Sequence, residues 1–494
     1  MKRIYILAAC LLSLLAACNK DESGTGSNVL ADVKVTGLQT TYTVYTRQDW
    51  LKIQPTVENE NEYDYYWTLF NAAFSANQGL VKADTIARTK NLDYEVLKNP
   101  GSYILVFNVK NKQTGVTAQF KSSAIISTLT MNGWYLLKDN GGETDLDFIY
   151  PTGRIDNWIK YYNGASLSGN AVKSIFVGGF KNTITASEQF STMMVLSEND
   201  AAIYRVENGA MVMNFNNMFF SKPAVRRLQD VFQPTATNLL HIVNDGKAFT
   251  MTKGTLFANM PAFVNNVNYT NIAPKSAVVA MNLLWNKNTK SIFGIDNGIY
   301  AELKPLKGRD KLKNVNGELE WMTGYSSNRG VAVLLFRNPQ DSGYLYKIDG
   351  KYSPLAGFGS DTLILAQDTL SPQHSLMNAD KIGGNYDVDL IYYSVGSNIY
   401  MTDIASQTEN LLFTLPAGEV VTAIQHIKYP VPSTTDPNKI NKIAICTYKD
   451  GRYKVYLHTI SSTGTLSAIP PDFEGEGRVS SVMYMEQGNG TRVF

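Results

Sequence analysis

The sequence predicts an all-β chain: an N-terminal β-sandwich over 31–129, followed over 130–494 by a ring of antiparallel hairpins, a β-propeller of seven blades. Three observations carry this. Tyr (28) and Phe (21) are abundant, and Gly, Asn and Asp recur at turn-like positions, as expected of strands joined by tight turns. Short candidate strands follow one another between Val33 and Leu129. Beyond them, one hairpin pattern recurs seven times.

In the first region the candidate strands are Thr41–Thr46, Leu51–Thr56, Tyr63–Phe70, Tyr94–Leu97, Gly101–Lys110 and Val116–Ser127, separated by polar clusters such as Glu58-Asn59-Glu60-Asn61. That number of strands in that length suits an immunoglobulin-like sandwich. Trp67, within Tyr65-Tyr66-Trp67-Thr68-Leu69, stands where such sandwiches bury a tryptophan between their sheets and is read as core.

In the second region each repeat is an apolar strand, a polar or Gly-bearing turn and a second strand. The seven begin at Trp134, Met194, His241, Ile292, Val333, Ile391 and Ala444, 41 to 60 residues apart. That interval fits a four-stranded blade with variable loops. Turns such as Asn244-Asp245-Gly246 and Lys449-Asp450-Gly451 supply the positive φ that two-residue hairpins require. One blade cannot bury both its faces, so neighbours in a ring must do it. Ser480–Met485 offers a strand that could complete the blade holding Trp134.

The N-terminus sets the compartment. Lys2 and Arg3 precede a 14-residue, largely apolar stretch, Ile4–Ala17, too short to cross a bilayer as a helix and of signal-peptide form. It ends in Leu15-Ala16-Ala17-Cys18, which resembles the lipobox of bacterial lipoproteins; residues 1–18 are then the signal and its cleavage motif, with Cys18 as the lipid attachment residue. Several acyl chains at about 0.8 kcal/mol per buried methylene make a stable membrane anchor. Residues 19–30 read as a flexible tether. Within it, Lys20, Asp21 and Glu22 resemble the export signal that directs lipoproteins to the outer face of the outer membrane in bacteria with Sus-type nutrient systems.

Composition narrows the function. With 45 basic and 43 acidic residues and no cationic stripe, the chain has no electrostatic basis for nucleic-acid binding. Cys446, in an apolar run, is expected to be a buried hydrophobe without a disulfide partner. His241, His374, His426 and His458 are far apart, so no metal site and no cofactor is expected. Nucleotide-loop and nucleophile-elbow motifs are absent. The segment Gly141-Gly142-Glu143-Thr144-Asp145-Leu146-Asp147 reads as a solvated acidic turn, with a calcium site as the alternative. Two aromatic segments are candidates for ligand contact if exposed at a mouth of the ring, and core otherwise: Trp158 with Tyr161 and Tyr162, and Trp321 with Tyr325.

Pro100-Gly101-Ser102-Tyr103, opening an alternating strand, resembles the strand signature of PKD domains, although no Gly-Asp-Gly follows Trp67. Lipobox, acidic export signal, sandwich and propeller-length region, in this order, resemble the PKD-like surface lipoproteins that accompany Sus-type TonB-dependent importers. The Asn-Tyr-Asp-Tyr motif frequent in that family is absent. The resemblance implies a non-catalytic, outer-membrane accessory facing the cell exterior. It would capture a glycan or peptide nutrient and dock beside the TonB-dependent transporter and its lid lipoprotein. A structural or adhesive surface protein and a propeller hydrolase are the alternative readings, the last requiring two carboxylates in one cleft.

Overall fold

The computed structural model describes residues 33–73, 82–233, 238–279, 282–296, 298–324, 330–350, 362–385, 387–429, 440–486 and 489–490. The signal, Cys18, Lys20, Asp21, Glu22 and Tyr325 lie outside the described residues. The chain divides into two compact units, Met1–Ser127 and Thr128–Phe494.

The first unit is built on a five-stranded sheet in the order Thr41–Tyr45, Thr117–Ser127, Gly101–Asn111, Tyr63–Asn71, Asp84–Ala87. Its edge strand Thr41–Tyr45 runs parallel to Thr117–Ser127 and the remaining pairs are antiparallel. Two short ladders, Val35–Thr36 with Thr56–Val57 and Trp50–Ile53 with Leu92–Glu95, complete it. The last strand begins at Leu92, ahead of the expected Tyr94, because Leu92 is the core side chain that pairs with Ile53. Trp67 is 1% exposed and packs its indole 4.5 Å from the Phe107 ring. The Trp67 Nε1–H donates to the carbonyls of Thr89 and Lys90, so the buried polar atom is satisfied.

The second unit consists of seven successive antiparallel sheets, numbered here in chain order. Sheet 1 holds Gly133–Asn140, Glu143–Tyr150 and Gly153–Ile155. The first strands of sheets 2 to 7 are Ala171–Phe180, Leu228–Phe232, Ile272–Val278, Glu318–Gly324, Lys381–Gly384 and Val420–Ile427, each leading a four-stranded meander. The strand Arg478–Glu486 pairs antiparallel with Gly133–Asn140, setting Trp134 opposite Tyr484. It thereby takes in sheet 1 the place that first strands occupy elsewhere. Neighbouring first strands pack side by side from sheet 2 through sheet 7, and Arg478–Glu486 contacts those of both sheet 7 and sheet 2.

Apolar faces explain this stacking. Tyr135, Leu137, Leu146 and Phe148 of sheet 1 meet Met193, Val195 and Tyr204 of sheet 2 in one buried cluster, and similar clusters recur between later sheets. Each large side chain so buried contributes about 1.5–3 kcal/mol. Asp245-Gly246 and Asp450-Gly451 hold positive φ at both positions, so the Asp-Gly signals mark true tight hairpins. Six of the seven predicted hairpins begin in the second strand of their sheet, counting Arg478–Glu486 first in sheet 1. The one at Ile292 lies between the third and fourth strands, Ser291–Asp296 and Ile299–Glu302. Its turn carries Gly298 and is the stronger sequence signal, whereas the preceding hairpin, which sets Asn282–Asn286 beside Ser291–Asp296, turns through Lys287-Asn288-Thr289-Lys290 without a Gly.

Candidate functional site

A cavity of about 270 Å³ lies among the first strands of the second unit, lined by residues of sheets 2, 3, 4, 5 and 7 and of the strand Arg478–Glu486. This is near the lower end of the roughly 300–1,000 Å³ usual for small-molecule sites. An adjoining hollow shares Val172, Gln229 and Pro274 with it and is edged by Glu198 and Arg227.

Breaks in strand register put the lining residues there. Five of the contributing strands lose register at the cavity: between Ala171 and Lys173, between Leu228 and Asp230, between Ile272 and Ser276, between Leu319 and Trp321, and between Val479 and Ser481 opposite Leu137 and Lys138. The residues inside these breaks include Val172, Gln229, Pro274, Glu320 and Ser480, all of which line the cavity. An extra residue in one strand turns its side chain out of the ladder, the usual means of aiming a group at a rim or site. Pro274, with no N–H to give, is tolerated because the ladder is interrupted there.

The lining is polar and balanced in charge. Lys173 Nζ lies 2.8 Å from Asp230 Oδ1, and the Ser276 hydroxyl donates to Asp230 Oδ2 at 2.6 Å. Lys275 Nζ donates to the Leu319 carbonyl at 2.6 Å; burial lowers its pKa, and nearby Glu320 opposes that shift. Glu320 in turn accepts from Arg337 Nε at 2.8 Å. Cation and anion thus alternate from sheet 2 to sheet 5. The other side is uncharged: Gln425 accepts from the Val482 N–H at 2.8 Å, and Ser481, 3% exposed, has a buried hydroxyl with no hydrogen-bond partner.

Trp321 is the aromatic of this wall. It is half-buried, packed against the cluster of Val333, Leu335 and Tyr393, and it lines the cavity. Sheet 6 makes room for it by presenting Gly383-Gly384. A Cβ on Gly384 would come 3.3 Å from the indole Cη2, and one on Gly383 would stand 2.5 Å from the Ile424 carbonyl.

The other sequence candidates sit elsewhere. Trp158 opens the short helix Trp158–Asn163, but it is fully buried among Tyr135, Tyr204 and Tyr162, with ring centroids 5.6, 5.8 and 5.4 Å away. It is core and unavailable to a ligand. Tyr162 is half-buried beneath Gly209, where a Cβ would stand 2.3 Å from the Tyr162 ring. Tyr161 is 55% exposed. None of these three lines the cavity with Trp321.

The acidic segment is not a solvated turn. Gly141 and Gly142 form the turn, but Asp145 and Asp147 lie on the strand Glu143–Tyr150 and are buried. Asp145 accepts from the Ile159 and Lys160 N–H groups, anchoring the start of the helix, and from the Ser166 hydroxyl; burial raises its pKa while these bonds oppose the rise. Asp147 is paired with Lys138 at 2.7 Å and Arg154 at 2.7 Å, and it accepts from the Tyr453 hydroxyl of sheet 7 at 2.7 Å. Their oxygens are occupied by donors, and among the described residues no group of three His, Cys, Asp or Glu side chains could hold a metal ion. Cys446 is completely buried.

The missed residues, Lys173, Asp230, Lys275, Glu320, Gln425 and Ser481, belong to no motif. The signal available in sequence was only that polar residues interrupt the apolar first strand of successive repeats.

The model described as the PKD-like family matches residues 18–171, from Cys18 through the first unit and the N-terminal strands of sheet 1 to Ala171, where sheet 2 begins. No curated protein matches the chain. Solved structures similar to it include a quinonprotein alcohol dehydrogenase-like protein from Bacteroides thetaiotaomicron VPI-5482, at 12% identity, covering 92% of this chain and 99% of that one, TM-score 0.45. Another is the β-propeller domain of Cps50 (Swd1) from Myceliophteria thermophila, at 9% identity, covering 66% of this chain and 98% of that one, TM-score 0.34. The WD40 domain of SCAP from fission yeast matches at 11% identity, 61% of this chain and 66% of that one, TM-score 0.33. The chain is all-β, with a match to the PKD-like family in its N-terminal part and a succession of antiparallel meander sheets after it.

Proposed function

We propose that the protein is a lipoprotein held in the outer membrane through Cys18 and facing the cell exterior, where it acts as a non-catalytic nutrient-binding accessory of a Sus-type TonB-dependent importer. On this reading the seven sheets are the blades of a closed propeller. The side-by-side first strands, and the seat of Arg478–Glu486 between those of sheets 7 and 2, support closure. The observation that carries the binding role is the cavity where side chains from six sheets converge around Trp321. The partners are the transporter and its lid lipoprotein.

A hydrolase would need carboxylates poised over a substrate bond. The two at this cavity, Asp230 and Glu320, are instead committed to Lys173 and Arg337. An adhesive role is favoured by one feature, the outward Phe220 (84% exposed) and Phe263 (66%) of the second unit. Purification of the native lipoprotein from outer membranes tests the uptake reading: a TonB-dependent transporter should come with it, and its consistent absence overturns the proposal. Labelling with a fatty-acid probe, lost in Cys18→Ser, tests the anchor separately.

A further inference from the structure

Two cations and two anions stand in the cavity wall, yet they do not cancel where a ligand would meet them. Lys173 and Asp230 form one pair, and Asp230 also accepts from Ser276. Glu320 is held by Arg337, which does not line the cavity. The second acid of Arg337, Asp341, is 3.8 Å away and 76% exposed, where water and salt screen it. Lys275 is left over. Half-buried, it directs Nζ to a carbonyl, that of Leu319 at 2.6 Å, and not to a carboxylate. Burial lowers its pKa against the opposing pull of Glu320, as expected of an ammonium removed from water without a full counter-charge. The wall therefore holds a surplus of one positive charge.

The Leu319 bond also fixes where that charge stands. Leu319 flanks the register break that sets Glu320 and Trp321 in the wall, so the ammonium lies against the strand that carries the indole. Gln425, its carbonyl already taken by Val482, retains its amide nitrogen as a second donor. Val172, Pro274 and Trp321 supply apolar surface. A cationic ligand would add to the surplus and a dianion would reverse it. A neutral ligand would strip water from Lys275 and bring no counter-charge in its place. An inorganic anion would leave the apolar surface unused. We infer that this cavity takes a small organic monocarboxylate, its oxygens on Lys275 and Gln425 and its apolar body beside Trp321. The space suffices, since a cavity of about 150 Å³ admits benzene and this one measures about 270 Å³. The inference rests on the binding reading above and adds to it the charge of the ligand.

Titration calorimetry and saturation-transfer NMR on the full-length, detergent-solubilised protein test it. Three acids separate the sources of such a group: benzoate for free ring acids, methyl glucuronide for acidic sugars and N-acetylalanine for peptide ends. Each is paired with its neutral amide. At least one acid should bind tenfold or more tighter than its amide. Lys275→Met should abolish that preference, Lys275→Arg should keep part of it, and Trp321→Ala should weaken the acid severalfold. Lys34→Met, which removes a cation of 75% side-chain exposure in the first unit, should change nothing. The acid–amide comparison in the native protein needs no variant, and protection of Lys275 from acetic anhydride by the bound acid, read by mass spectrometry, locates the site even if Lys275→Met fails to fold. Binding of no acid, equal binding of acid and amide, or a preference that survives Lys275→Met each overturns the inference, as does a bound acid that leaves Lys275 unprotected. Transporter recovery in the same preparations separates the two proposals: no acid binding with the transporter present defeats the ligand class alone.

Discussion

Gly384 and Trp321 are fitted to each other across two sheets: the indole occupies the space that a side chain at 384 would need, with a Cβ there 3.3 Å from Cη2 and 3.1 Å from the Thr323 methyl. The close approach, and not a turn, is what favours glycine here.

Gly384→Ala should therefore be tolerated with a small shift of the indole, whereas Gly384→Val should overpack the interface at a cost of about 1–3 kcal/mol. Thermal unfolding gives the stability, and near-ultraviolet circular dichroism reports the displaced tryptophan. An equal, negligible effect of both substitutions would contradict the packing.

Asp147→Asn should be among the most destabilising single-atom changes in the chain. It leaves Lys138, with 5% side-chain exposure, and Arg154 without their shared counter-charge. Breaking a buried pair from one side costs about 3–5 kcal/mol. Asp156→Asn, at 59% side-chain exposure, should cost less than about 1 kcal/mol, and urea titration of the two variants measures the difference.

Acid should weaken the fold through its histidines. Burial lowers the pKa of His241, His426 and His458 to about 4, below the ordinary 6.5. The unfolded chain then binds protons that the folded chain refuses. Stability is full above pH 6.5 and falls as the pH drops toward 4, by up to about 3 kcal/mol for each such group. His241, with neither ring nitrogen hydrogen-bonded and the Phe232 ring 5.3 Å away, is the simplest to replace. His241→Phe should flatten the decline of melting temperature between pH 6.5 and 4 by roughly one third; an unchanged slope would refute the assignment.

Cys446 should resist thiol reagents in the native state, because burial both shields its sulfur and raises its pKa, withholding the reactive thiolate. Reaction with Ellman's reagent should appear only with unfolding in guanidinium. Rapid modification of the folded protein would show that sheet 7 opens.

The hairpins were legible in the sequence because their signals are local: Asp-Gly pairs such as Asp245-Gly246 set the backbone by themselves. Trp67 was legible for a similar reason, as one large side chain inside a strand of fixed alternation. The cavity was not. Whether Glu320 or Gln229 stands in a register break depends on the strand opposite, which a linear reading does not contain. Asp145 and Asp147 misled because their partners, the helix start at Ile159 and the Tyr453 hydroxyl, lie outside the segment that looked like a loop. Trp158 and Trp321 have similar sequence surroundings, and only the stacking of neighbouring sheets separates the buried ring from the accessible one.

The pairing of Gly133–Asn140 with Arg478–Glu486 has a consequence for biogenesis. The Tyr484 hydroxyl donates to Asn132, a partner 352 residues earlier in the chain. A contact so distant is entropically expensive to form early, and it slows folding. Sheet 1 therefore waits, one edge bare, until nearly the entire polypeptide has been synthesised. During that interval the naked edge invites pairing with other chains, and a nonsense codon shortly before Arg478 would yield an aggregating product and not a slightly shorter functional one.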